Sequence, residues 1–230
     1  MLYGVRALCC LPGLVAAQAA WSLSADNLAE VLKNCPAKVE HACHAQVEAQ
    51  VLARSLPGRV SRQGERLHLV QRQGQARVFD DALHDPAHAL RHVYLGELGI
   101  TDLRLVRTIG PAAAQQLLLV AESGQPPMAA DDVPWPAPGG RLVVVVAPRS
   151  LTLWLRTALR WTQAFRYEPP AGVQLSFKGW RGDGGAVRVD WRWQRGGSPC
   201  SPLRATAGQV QLRDGPYGWE VTPELPLRCP

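Results

Sequence analysis

Three histidines, His84, His88 and His92, recur at four-residue spacing with Asp80, Asp81 and Asp85 beside them. On one continuous helix this spacing would set the three imidazoles on one face, where with a carboxylate they could hold zinc or another transition metal. Pro86 stands inside the segment, lacks a backbone donor and breaks the register that the pattern needs. The expectation is a polar connection between strands, with a helical turn over 86–91 and no metal or other cofactor. The competing class is a secreted hydrolase, metal-dependent through these histidines.

Other nucleophile chemistry has less behind it. No Gly-x-Ser-x-Gly elbow occurs, and Ser123, Ser150, Ser176 and Ser198 have no activating neighbour in sequence. Arg181-Gly182-Asp183, followed by Gly184 and Gly185, reads as a loose hairpin turn. Binding chemistry is better represented. The chain has eight tryptophans, and Trp154, Trp161, Trp180, Trp191 and Trp193 fall within one span. Exposed indoles combine a large apolar area with one donor and can form a platform for sugar rings or an anchor for a protein. Alternation sets Val187, Val189, Trp191 and Trp193 on one face of a strand, against Arg188, Asp190, Arg192 and Gln194 on the other. Trp191 and Trp193 are therefore expected inside, with at least three of the five indoles buried. Trp180, Arg188 and Arg192 are the candidate binding residues.

The elements that must position these residues follow from the rest of the chain. Residues 1–19 read as an export signal: Arg6, an apolar run over 7–17, then Ala17-Gln18-Ala19 before a cut ahead of Ala20. The run is too short for a spanning helix, so no stable membrane insertion is expected after cleavage, and the protein is placed in the periplasm or outside the cell. Cysteine usage agrees with export. Beyond Cys9 and Cys10 in the leader, Cys35, Cys43, Cys200 and Cys229 form an even set with three possible pairings. The local scheme, Cys35 with Cys43 and Cys200 with Cys229, is favoured. A zinc site through His41, Cys43 and His44 lacks a second CxxC-type pair.

A formal net charge of +6 comes mostly from scattered arginines. No basic run is dense enough to argue for nucleic acid, and a preference for anionic surfaces is the most that the charge implies. Residues 20–58 read as a helical hairpin, capped by Ser24, broken at Pro36 and ended by Pro57-Gly58. From there the period is alternating: a first β section over 59–125, a proline-rich loop or linker over 126–140, and a second β section over 141–230, the two sections together forming one domain or two. The unbroken apolar run over 142–147 suits a strand covered on both faces. The fold class expected is mainly β, an antiparallel sandwich or incomplete propeller-like array with a small N-terminal helical hairpin.

The segment Tyr94-Leu95-Gly96-Glu97-Leu98, with the strands over 103–106, 117–120 and 141–154 and the terminal 215–221, resembles uncharacterised secreted bacterial proteins that carry a YLG…L segment and propeller-like β repeats. Pro136-Ala137-Pro138-Gly139-Gly140 stands where such repeats often carry a Ser-Pro-Asp-Gly turn. At about 40 to 45 residues per four-stranded blade, the β region has room for three or four blades. The resemblance implies fold and compartment and brings no activity. The sequence thus reads as an exported binding or inhibitor-type protein whose partner is an envelope protein or cell-wall glycan.

Overall fold

The computed structural model of the chain describes residues 22–23, 41–85, 89–110, 116–158, 160–194, 196 and 199–229. The leader, the helix expected over 24–34 and Cys35 lie outside these residues. Cys43, the other half of the expected early bridge, is disulfide-bonded.

Helix α1 (His41–Arg54) is closed by Ser55, whose Oγ donates to Val51 O at 2.9 Å, and by Gly58 at φ +79°. Val47 and Val51, one turn apart, face the core, and so do His44 and Glu48. A three-stranded meander follows: β2 (Val60–Gln63), β3 (Arg66–Val70) and β4 (Ala76–Asp80). The turn at Gln73-Gly74 is as expected, with Gly74 at φ +78°. Strand β2 has no apolar alternation to read, because its inward positions are Val60 and the charged Arg62, with Ser61 and Gln63 exposed.

Three four-stranded meanders come next, each strand pairing antiparallel with its neighbour in sequence or the next long strand. Sheet I comprises β5 (Arg91–Leu98), β6 (Leu103–Ile109), β7 (Gln116–Ala121) and β8 (Met128–Ala130), with the two-residue β1 (Ser22–Leu23) added in parallel on β5. Sheet II comprises β9 (Pro134–Pro136), β10 (Leu142–Ala147), β11 (Ser150–Arg156) and β12 (Trp161–Tyr167). Sheet III comprises β13 (Val173–Arg181), β14 (Ala186–Trp193), β16 (Ala207–Gly215) and β17 (Gly218–Thr222). A short ribbon pairs β15 (Ser201–Pro202) with β18 (Leu227–Arg228).

The sheets are stacked face to face in chain order. α1 and the small meander cover one face of sheet I around Leu67, Leu69, Tyr94 and Val106. The other face of sheet I meets sheet II through Leu95, Leu105, Leu119, Val143, Val145 and Trp161. Sheet II then meets sheet III through Val144, Val146, Leu153, Val189 and Trp191. Successive residues of β10 thus enter different cores, which is why its sequence is apolar without alternation. The fold is mainly antiparallel β, an open stack of the kind a multilayer sandwich or incomplete propeller-like array provides.

The proline-rich stretch is not a linker. It supplies the last strand of sheet I, β8, and the first strand of sheet II, β9, and both are edge strands. Prolines fit there because Ala137 N–H donates to Leu142 O at 2.9 Å, and the two-residue period of the ladder then turns the nitrogens of Pro134 and Pro136 away from β10. Trp135, between them, stacks on Phe177 of sheet III with ring centroids 4.3 Å apart. Proline composition suggests irregular backbone, whereas here it marks a sheet edge.

Cys200 and Cys229 are bonded, 29 residues apart in sequence, and pin the β15–β18 ribbon, whose Leu227 packs, with the preceding Leu225, on the core shared by sheets II and III. Closing a loop of this length restricts the unfolded chain, so the Cys200→Ser/Cys229→Ser double variant should lose roughly 3–4 kcal/mol in denaturant melts. A loss below about 1 kcal/mol would mean that the ribbon holds without its bond.

Candidate functional site: the outer face of the last sheet

The inner and outer faces of sheet III differ in kind. Val173, Leu175, Val187, Val189, Trp191, Val210 and Leu212 point into the core. The alternate positions point outward, and register places them in rows across the strands: Gln174, Arg192 and Ala207, then Ser176, Asp190 and Gln209, then Gly179, Arg188 and Gln211, then Arg181, Ala186 and Arg213. A bulge between Phe177 and Gly179 inserts Lys178, which joins the outer face with its Nζ 3.7 Å from Asp190 Oδ2.

This face is polar and carries surplus positive charge. Lys178, Arg181, Arg188, Arg192 and Arg213 stand against Asp190 and Glu220. Asp190 is shared by Lys178 and by Gln209, whose Nε2 donates to Oδ1 at 2.9 Å, and Glu220 pairs with Arg213 at 3.2 Å. Arg181 reaches Gln211 at 3.4 Å. Arg188 and Arg192 are exposed and have no carboxylate partner among the described residues. The small side chains of Ser176 and Ala207 leave a shallow open depression of about 650 Å³, rimmed by Gln174, Asp190, Arg192 and Gln209. Such a face can offer guanidinium forks and amide donors to carboxylates or other oxyanions.

The structure brings together two of the three candidate binding residues. Trp180 pairs with Val187 and so lies on the inner face, half-buried against the core and opposite to Arg188 and Arg192. Lys178, Arg181 and Arg213 were not singled out from the sequence, although β13 and β16 alternate nearly as clearly as β14.

The five clustered tryptophans divide differently from expectation. Trp161 and Trp191 are fully buried, whereas Trp154, Trp180 and Trp193 are half-buried and lean on the core by one side. Two rather than three are thus enclosed; Trp180 lies on the edge strand β13 and Trp193 is the last residue of β14, where the facing sheet covers only part of an indole.

The histidine spacing is not helical either. Ala82 bridges to Leu90, and Arg91 and His92 already belong to β5, so the end of the expected helical turn is extended, while its start at 86–88 lies outside the described residues. His84 is exposed, 3.7 Å from Glu65, while His92 packs on Phe79 with its Nδ1 3.5 Å from Asp81 Oδ1. His88 lies outside the described residues, and among those described no His, Cys, Asp and Glu group has metal-site geometry. His44 is buried 3.0 Å from an Arg107 nitrogen.

Sequence reasoning missed the buried ionic groups. Arg62 lies between Glu48 of α1 and Asp81 after β4. Its Nη2 donates to Glu48 Oε1 at 2.9 Å and also bonds the His92 carbonyl, and its Nη1 donates to Asp81 Oδ2 at 2.9 Å. Arg104, fully buried in sheet I, donates to Val70 O at 2.6 Å and to Glu122 at 3.1 Å, and Arg59 also pairs with Glu122. Beside it, burial pushes the Tyr94 hydroxyl up to about 12, so it stays neutral. These groups fasten α1 and the small meander to sheet I.

No family model matches the chain, and neither the curated proteins nor the solved structures contain a match. No helix among the described residues is long and apolar enough to cross a membrane.

Proposed function

We propose that this chain is an exported, disulfide-stapled binding protein that docks an acidic surface of an envelope protein on the outer face of sheet III. The observation that carries this reading is the pair Arg188 and Arg192, exposed on a strand backed by a filled core and without a carboxylate partner among the described residues. They stand within a face where five cations meet two acids. A sheet backed by a filled core fixes these guanidinium groups at little entropic cost on binding. The Cys200–Cys229 bond supports an oxidising compartment outside the cytoplasm. The buried carboxylates Glu48 and Asp81 are occupied with arginines and backbone donors, which supports a role in fastening the fold.

The test is affinity capture from an envelope extract, with the mature protein and its Arg188→Glu/Arg192→Glu variant as baits. A captured acidic protein should be lost from the variant by roughly tenfold or more, and its binding to the parent should weaken steeply with salt, while the melting curve of the variant is unchanged. Capture of wall glycan alone would replace the protein partner by the glycan. Capture that ignores the charge reversal would remove this face from the function.

A further inference from the structure

We propose a second, separate site: a cleft at the edge shared by the small meander and sheets I and II that binds one oxyanion group, a carboxylate or a phosphate, on Arg156 and Arg160. Four connections converge there. The β3–β4 turn brings Arg72, the residue before β6 is Asp102, the residues after β7 bring Ser123, and the β11–β12 hairpin brings Arg156 and Arg160. The cleft, open to solvent, offers about 200 Å³, room for an anionic group and a few attached atoms rather than for a large ligand.

Charge and polarity in the cleft are unbalanced in one direction. Three guanidinium groups face Asp102, and Arg72 also reaches Glu122, its Nε 3.5 Å from Oε2, a carboxylate already paired with Arg59 and Arg104. Asp102 is more than nine-tenths buried, with Oδ2 3.2 Å from Arg156 and 3.9 Å from Arg72, and its Oδ1 accepts the Trp161 indole N–H at 2.7 Å. It therefore anchors Arg156, while Glu122 is shared by Arg59, Arg72 and Arg104, so cations around the cleft outnumber the carboxylates that reach them. Arg160 is exposed and has no acidic partner among the described residues. The Ser123 hydroxyl oxygen is buried without a hydrogen-bond partner, an unmet requirement that a bound oxyanion would satisfy.

The floor of the cleft is held by hydrogen bonds. Trp161 at its floor is 3% exposed, and its backbone N–H and C=O are both held by the Gln125 side chain, at 2.7 and 3.2 Å. The hairpin above is closed by Thr157, whose hydroxyl donates to Arg160 O at 2.7 Å. Guanidinium groups on such a frame can form paired parallel hydrogen bonds to two oxygens of one group. Asp102 then prepares the site by orienting Arg156, and the ligand supplies the missing negative charge.

The probes are inorganic phosphate and acetate, titrated into the intact protein at constant ionic strength and followed by amide and indole N–H resonances. At least one should saturate with a dissociation constant on the order of millimolar or tighter, shifting Ser123, Thr157 and the Trp161 indole. Saturation by phosphate alone assigns a phosphorylated ligand, and saturation by acetate alone assigns a carboxylate ligand. Arg160→Ala should weaken binding by about tenfold or more without changing the melting curve, and Arg156→Lys should weaken it too, because the ammonium keeps the charge but loses the fork. No saturable shift with either probe, or a shift that Arg160→Ala leaves intact, overturns the proposal. Arg188→Glu/Arg192→Glu lies on another face and should leave both titrations unchanged, so this site and the docking face stand or fall separately.

Discussion

Replacing Trp191 by alanine should lower stability by about 3–5 kcal/mol, the range for deleting a large buried aromatic side chain. Trp191 is 4% exposed and sits at the inner face of sheet III among Val189, Val210 and the sheet II residues Val144 and Val146. The facing strand is adapted to it. Gly208 pairs with Trp191 across β14 and β16, and a Cβ there would lie 2.8 Å from the indole Nε1, so the absence of a side chain at 208 lets the ring lie flat. Alanine at 191 leaves that space empty on both sides. One position further along the same strand, Arg192→Ala should change stability by about 0.5 kcal/mol or less, because its side chain points outward and has no ion pair among the described residues. Denaturant melts of the two variants measure the contrast. A neutral Trp191→Ala that abolishes partner capture would make the indole a recognition element and reverse the assignment of faces.

That contrast could be drawn from sequence alone because a two-residue period fixes a whole strand at once. In β14 every inner residue is apolar, so a one-residue slip would bury Arg188 and Arg192 together. The apolar run of β10 was equally legible, since only a strand covered on both faces can dispense with polar positions. A residue's role is not legible where it is set by something distant in the chain. Trp180 alternates like Trp191, yet whether its outer edge is covered depends on how far the neighbouring sheet reaches. Pro134 and Pro136 were read for what proline does to a backbone in isolation, whereas at an edge strand the missing N–H has no partner to lose. The histidines were read as a local pattern, but the strand pairing of Arg91 and His92 with β6 overrides any helical spacing. The candidate face was half visible: β14 revealed Arg188 and Arg192, and the bulge that adds Lys178 has no signal apart from Gly179. The converging turns around Asp102 had none, since their members lie in four separate connections.

Removing the Glu48 carboxylate should be as costly as removing Trp191, for an electrostatic reason. Glu48 is 2% exposed, accepts the Tyr94 backbone N–H at 2.8 Å, and holds Arg62, whose Nε lies 2.7 Å from its Oε2. Taking two charges into the interior costs several kcal/mol each, which their attraction and added hydrogen bonds offset only while both partners are present. Glu48→Ala leaves the Arg62 guanidinium with Asp81 and a carbonyl, and leaves Tyr94 N–H without an acceptor, so a loss of about 3–5 kcal/mol is expected. Glu220→Ala, which removes a comparable pairing with Arg213 on the exposed face of sheet III, should cost about 1 kcal/mol or less. The same hub gives stability an acid limb. Burial pushes the Asp81 carboxyl up, but hydrogen bonds from His92 and the Arg62 charge outweigh this and hold it below its ordinary value of 3.8. A carboxyl depressed in the folded state contributes stability that is fully present above 3.8 and is lost as the pH falls through the lower folded-state value. The stability gap between the parent and Asp81→Asn should therefore be constant near neutral pH and shrink as the solution is acidified below the ordinary carboxylate range. A gap that persists unchanged through that range would show that Asp81 acts through its shape and hydrogen bonds, and that the charge on Arg62 is balanced by Glu48 alone.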